Sequence, residues 1–84
     1  MDKAKILEDI NQVCQKVFRD ATLQVSASTS AKDVDSWDSI SNLFLIDELE
    51  KTFNIKFELD DILNAQNIDD LANVILTRSG DASA

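Results

Sequence analysis

One short run in the sequence has residue types and spacing that could position a reactive oxygen. Residues 35–43 read Asp-Ser-Trp-Asp-Ser-Ile-Ser-Asn-Leu. Asp38 is a good candidate for a helix N-cap, because a short carboxylate accepts the free N–H groups of a first helical turn. Ser39 would then stand at the first helical position, where the positive end of the helix dipole favours a phosphate on its hydroxyl. The simpler alternative is that Ser39 only helps to begin a helix.

Other familiar kinds of chemistry lack the residues they need. The sequence has no histidine, so serine–histidine catalysis, cysteine–histidine catalysis and the common zinc sites are excluded. A calcium loop that begins at Asp33 needs a ligand, a glycine and a glutamate at its fifth, sixth and twelfth positions. The sequence has Trp37, Asp38 and Phe44 there. We therefore predict that the protein is not an enzyme and holds no metal ion.

The helix that Asp38 would begin, at about residues 39–53, has two apolar faces. The first is a stripe formed by Leu45, Ile46, Leu49 and Phe53. The second is a patch close to Ser39, formed by Ile40, Leu43 and Phe44. Either this helix is central and buried all round, or the second patch is left for a partner.

The remaining periodicity predicts an all-α fold: a small four-helix bundle with three longer helices and one short helix. The absence of proline and the single glycine favour helices over a fold with many turns. The first helix, at about 3–18, has Asp2 as its cap, and a long loop at 19–37 separates it from the second. A short helix at about 59–64 precedes a fourth, which Asn67 begins and Gly80 ends. We expect one domain at 1–79 and a flexible C-terminal tail at 80–84.

Two single side chains are predicted to be structural. Cys14 lies beside the apolar face of the first helix, which indicates a buried thiol, and one cysteine cannot form an internal disulfide. Trp37 is interpreted as a packing anchor beside Ser39.

The net charge of −8 is unevenly distributed, because residues 33–84 contain twelve acidic and only three basic residues. Such a surface repels nucleic acid and attracts proteins with basic docking patches, although acidity can also serve solubility alone. No apolar run is long enough for a membrane span, and no signal-peptide core follows the N-terminus. We expect a soluble, cytoplasmic monomer.

The sequence resembles the acyl carrier protein family in its stand-alone form. The likeness is carried by Trp37-Asp38-Ser39-Ile40 and, after it, Leu43, Leu45-Ile46, Leu49-Glu50 and Phe53-Asn54-Ile55. It extends forward through Phe-Glu-Leu-Asp-Asp-Ile at 57–62 and Asn-Ile-Asp-Asp-Leu at 67–71, and backward, more weakly, through 28–34. It therefore covers nearly the whole chain.

The resemblance implies that Ser39 carries 4′-phosphopantetheine, which a phosphopantetheinyl transferase takes from coenzyme A with magnesium. The thiol of this arm would hold an acyl or related carboxylic group as a thioester. Asp38 would present the serine and help to bind the transferase. The resemblance further implies a docking face for partner enzymes, formed by Ile40, Leu43, Phe44 and Asp47.

The sequence departs from fatty-acid carriers at positions that matter for the pathway. Those carriers usually read Gly-Ala-Asp-Ser-Leu-Asp, and they commonly have acidic residues where this chain has Phe44 and Lys51. A carrier for fatty acids, polyketides or another specialised product fits the resemblance. Alternatives are an aminoacyl or peptidyl carrier, and an unmodified helical adaptor that uses the Ile40–Phe44 patch only for protein binding.

Overall fold

A computed structural model describes the backbone of residues 2–83 and the side chains of residues 2–78. This part of the chain contains four α-helices and no strand. The helices are α1 (Lys3–Val17), α2 (Ser39–Phe53), α3 (Leu59–Asn64) and α4 (Ile68–Ser83). Helix α1 packs against both α2 and α4, and α3 packs against α4. The predicted four-helix bundle, with one short helix and a long first loop, is confirmed.

The ends of the first two helices follow the sequence signals. Asp2 begins α1, since its carboxylate accepts a hydrogen bond from the backbone N–H of Ala4. Helix α2 ends at Asn54, which adopts the left-handed conformation with φ 55° and donates its N–H to the carbonyl of Glu50. Asparagine tolerates this conformation better than most residues with a side chain, so the chain can leave the helix here at low cost.

The start of α4 is tied to the first loop, which comprises residues 18–38. The N–H of Ile68 donates to the carbonyl of Thr29, and the N–H of Asp69 donates to that of Ala27, both at 2.9 Å. Asn67 acts as the predicted cap, because its side-chain oxygen accepts from the N–H of Asp70 at 2.9 Å. The loop thus supplies acceptors to donors that α4 cannot satisfy itself.

The predicted end of α4 is wrong, because the helix continues past Gly80 to Ser83. Glycine in a helix interior costs about 1 kcal/mol relative to alanine, which weakens a helix without stopping it. The tail at 80–84 was predicted to be flexible. Its side chains, and the backbone of Ala84, lie outside the described residues. Its flexibility stays a prediction.

The core is aliphatic and draws on all three longer helices. Its fully buried side chains include Ile6 and Ile10 of α1, Leu45 and Leu49 of α2, and Ile75 of α4. The predicted stripe on α2 is buried at Leu45, Ile46 and Leu49, whereas Phe53, the last residue of the helix, is only partly buried at the margin of the core.

Cys14 is buried, as predicted, and burial raises the pKa of its thiol to about 12. The thiol is therefore protonated at neutral pH, and a protonated buried thiol is a poor nucleophile. Cys14 is part of the packing of the core.

The first loop is anchored by buried side chains and by hydrogen bonds to α1. Val34 and Trp37 are buried, and the ring of Trp37 lies 6.2 Å from that of Phe18. Asn11 of α1 accepts from the N–H of Val25 at 2.7 Å. A short 3-10 turn at Ala31–Asp33, which no periodicity indicated, shapes the loop just before the second helix.

An ion pair connects helix α3 to α4. The Asp61 carboxylate accepts from the N–H of Glu58 at 3.0 Å and from the guanidinium of Arg78 at 2.7 Å. The N–H of Glu58, together with Arg78, holds the pKa of Asp61 below its ordinary value. An ionised Asp61 therefore links the start of α3 to α4.

The two faces of α2 should respond differently to truncation. Leu49 is fully buried, so we expect Leu49→Ala to lower the free energy of unfolding by about 2–5 kcal/mol. The matched change Leu43→Ala removes the same atoms from a side chain that is 61% exposed, and we expect a loss within about 1 kcal/mol. Urea unfolding followed by circular dichroism measures both. Equal losses would contradict the assignment of the two faces.

Candidate functional site

Ser39 is the first residue of α2, and its side chain is exposed. The preceding residue, Asp38, has an extended backbone, and its Oδ1 accepts from the N–H groups of Ile40 at 3.0 Å and Ser41 at 2.9 Å. The predicted N-cap is confirmed. Because the cap fixes where the helix begins, it also fixes the direction in which Ser39 leaves the first turn.

Ser41 completes the capping arrangement. Its hydroxyl accepts from the N–H of Asp38 at 2.8 Å and donates to the carbonyl of Ser36 at 2.7 Å. The sequence did not indicate this role, because the residue expected three positions after a cap for reciprocal capping is glutamate or glutamine. These hydrogen bonds fix the segment that leads into α2. The hydroxyl of Ser41 is therefore occupied, whereas the side chain of Ser39 is exposed.

Asp38 is ionised at neutral pH. The N–H of Ser41, followed by that of Ile40, holds the pKa of its carboxyl below the ordinary value of 3.8. A carboxylate with a lowered pKa is a weak proton acceptor, so Asp38 is a poor general base for the Ser39 hydroxyl. Its role at this site is to hold the first turn in place.

Trp37 connects the end of the first loop to α2. Its indole Nε1 donates to the side-chain oxygen of Asn42 at 2.9 Å, and the ring is only 7% exposed. The interpretation of Trp37 as a packing anchor is confirmed. Trp37 and Asn42 together fix the loop against the second turn of α2.

Beyond the site, the apolar patch of α2 faces solvent. Ile40, Leu43 and Phe44 are between 61% and 67% exposed, which excludes a helix that is buried all round. The structure adds Leu59 and Leu63 of α3, which are 69% and 70% exposed. These two leucines were predicted to lie in a helix, but their exposure was not predicted. Their spacing of four residues, on one side of a short helix, was the available signal.

The acidic residues of α2 all have partners within the chain. Asp47 pairs with Lys51 at 3.0 Å, and Glu48 pairs with Lys16 of α1 at 3.1 Å. The carboxylate of Glu50 accepts from the N–H of Phe57 at 2.8 Å. Of the three, Asp47 is the acid whose side chain remains mostly open to solvent, and it lies one turn beyond Leu43 and Phe44.

Comparison with known families shows which family the chain belongs to. The family model described as "Phosphopantetheine attachment site" matches residues 8–75, which include all of α2 and α3. The chain belongs to the acyl carrier protein family. A comparison with curated protein sequences found no match.

Two solved carrier structures have the same fold. The solution structure of a holo acyl carrier protein from Geobacter metallireducens is 32% identical, with a TM-score of 0.87, over 93% of this chain and 90% of that one. A proposed acyl carrier protein from Mycobacterium tuberculosis is 26% identical, with a TM-score of 0.76, over 86% of this chain and 96% of that one. Together with the family match, they make this chain a carrier of covalently attached 4′-phosphopantetheine.

Membership in this family also defines the general kinds of partner. Carrier proteins interact with a phosphopantetheinyl transferase and with biosynthetic enzymes. Among the described residues, no helix is both long enough and apolar enough to cross a bilayer, and no cluster of side chains is suited to a metal ion.

The pH dependence of the cap can be measured directly. Because the pKa of Asp38 is lower in the folded than in the unfolded protein, its ionised form stabilises the fold above pH 3.8. This contribution is lost as the pH falls through the lower folded value. We expect Asp38→Asn, which keeps an acceptor oxygen without the charge, to lower the thermal midpoint at neutral pH. The difference from the wild type should shrink below pH 3.8, and a constant difference across this range would contradict a charged cap.

Proposed function

We propose that Ser39 is the residue to which 4′-phosphopantetheine is attached. The observation that carries this proposal is the exposed hydroxyl of Ser39 at the first position of a helix whose start is fixed by Asp38 and Ser41. Ser36 and Ser41 are its nearest competitors in sequence. The hydroxyl of Ser41 is committed to the cap, and Ser36 lies in the loop before it.

The surroundings of Ser39 fit a phosphate diester. The side chain faces solvent at the N-terminal end of a fifteen-residue helix, where the dipole favours a negative charge. The Asp38 carboxylate is turned toward the N–H groups of Ile40 and Ser41, which offsets part of its repulsion of a second anion. When bound, the group supplies a thiol on which a carboxylic cargo is held as a thioester.

We further propose that the protein acts as a non-enzymatic carrier of an acyl or related carboxylic group in cytoplasmic biosynthesis. The proposed pathway is the synthesis of a fatty acid, a polyketide or another specialised product. Phe44 and Lys51, where fatty-acid carriers commonly have acids, favour a specialised pathway. An aminoacyl or peptidyl carrier is the alternative that uses the same site.

The exposed patch Ile40, Leu43 and Phe44, with Asp47 beside it, is the proposed docking face for partner enzymes. Exposed apolar side chains of this size on one helix face are unusual unless they are covered by another molecule. The apolar contact would control dissociation, whereas the acidic surface would attract partners with basic patches and speed their encounter.

Modification at Ser39 is tested by intact mass. Incubation with coenzyme A, magnesium and a broad-specificity transferase should add one phosphopantetheine group to the wild type and none to Ser39→Ala. Ser36→Ala is the matched control, because it removes a neighbouring serine hydroxyl, and it should be modified like the wild type. An unmodified wild type would favour the helical adaptor, and a modified Ser39→Ala would contradict the proposed site.

Electrostatic attraction of the transferase is tested by reversing one exposed charge. We expect Asp47→Lys to slow loading roughly two- to tenfold at low salt, because Asp47 is the acidic member of the proposed docking face. Glu8→Lys makes the same change in net charge on α1 and should have a smaller effect. Glu48 is left unchanged because its pairing with Lys16 joins α1 to α2.

The loading rate of the wild type should also fall as salt rises, since salt screens exposed charges over about 8–10 Å. Equal effects of the two reversals, together with a rate that is indifferent to salt, would leave solubility as the reason for the acidic surface.

A further inference from the structure

A surface groove begins at Ser39 and runs between the first loop and the connection from α3 to α4. Its near part, with a volume of about 240 Å³, is lined by Trp37, Ser39 and Asn42 among others. Its far part, of about 650 Å³, includes Lys32 and Asn67. Both parts share the three residues Ala31, Ala65 and Gln66, so they form one continuous feature, which we name the loop groove.

The walls of the loop groove are held by hydrogen bonds at both ends. At the far end, the backbone bonds from Ile68 to Thr29 and from Asp69 to Ala27 join the loop to the start of α4. At the near end, Trp37 donates to Asn42. The groove is therefore a built part of the fold and not a gap between two independent segments.

The lining of the groove offers hydrogen-bond donors along its length. The side-chain oxygen of Asn42 accepts from an indole N–H, and that of Asn67 accepts from a backbone N–H. The indole N–H and the backbone N–H can only donate, so the side-chain oxygen of each asparagine must face its partner. The NH₂ group of each side chain therefore remains available to a ligand. The side-chain amide of Gln66 makes no hydrogen bond within the described residues.

Lys32 adds a positive charge to the far part of the groove. Within the described part of the chain, five of the eight basic side chains take part in ion pairs, and Lys32 does not. Arg19 and Lys56 are likewise outside these pairs, but neither lines the groove. An ammonium group with no internal partner favours an anionic ligand, because charge-assisted hydrogen bonds are stronger than neutral ones.

We propose that the loop groove binds the 4′-phosphopantetheine arm, and that Lys32 favours a cargo whose free end is a carboxylate. The proposal rests on attachment at Ser39. Pantetheine carries two amide carbonyls and a hydroxyl group, which match the donors of Asn42, Gln66 and Asn67. An anionic end is the cargo chemistry that the cation at the far part of the groove would recognise.

Binding of the arm is tested by comparing amide NMR spectra of the unmodified protein and the modified protein. A single modification at Ser39 is first verified by mass, so that failure of the attachment site is seen separately. We expect shifts at the side-chain amides of Asn42, Gln66 and Asn67. The side-chain amide of Gln12, which lines a separate pocket between α1 and α2, is the control and should not move. Shifts confined to residues 38–42 would overturn binding in the groove.

Selection of the cargo end is tested with two four-carbon groups that the transferase loads from their coenzyme A thioesters. Succinyl ends in a carboxylate and butyryl ends in a methyl group. We expect succinyl to shift the amide signals of Lys32 and Asn67 at least twofold more than butyryl does. Lys32→Gln should remove this difference, whereas the control Lys56→Gln, which alters an exposed lysine outside the groove, should keep it. Equal shifts for the two groups, or loss of the difference in both variants, would overturn the preference for an anionic end.

Discussion

The hydrogen bonds that the Asp38 carboxylate accepts from the first turn of α2 determine much of the rest of the molecule. They set the residue at which the helix begins, and each residue of a helix is rotated by about 100° from the one before. With the start fixed, Leu45 and Leu49 point into the core, while Leu43 and Phe44 point to solvent. The same start leaves Ser39 exposed at the helix terminus, one residue beyond a carboxylate whose Oδ1 accepts two hydrogen bonds from the first turn.

The long first loop is the second constraint. It must connect α1 to α2 and also supply hydrogen-bond acceptors to the start of α4. Its carbonyls at Ala27 and Thr29 accept from the first N–H groups of α4, and Trp37 anchors its end beside the site. A loop of this length with its own hydrogen bonds is part of the fold and not a tether. Its position beside α4 also creates the groove that leads away from Ser39.

The elements that could be predicted from sequence are those that depend on local chemistry. The cap at Asp38, the end of α2 at residue 53 and the buried stripe of α2 follow from short-range rules. Exposure of the Ile40–Phe44 patch could not be decided, because it depends on whether another helix covers that face. The donors of the loop groove come from residues far apart in sequence, such as Asn42 and Asn67, which only the tertiary fold brings together. The helix end predicted at Gly80 was wrong, because the cost of glycine in a helix, about 1 kcal/mol, does not decide where a helix ends.

The central claim is that the fixed start of α2 makes Ser39 the attachment residue in place of the serines around it. The most direct test is to locate the group within the transferase product by fragmenting the tryptic peptide that spans residues 33–51. This peptide contains three serines, Ser36, Ser39 and Ser41. We predict that the fragments place the added mass on Ser39. Fragments that place it on Ser36 or Ser41 would contradict the account.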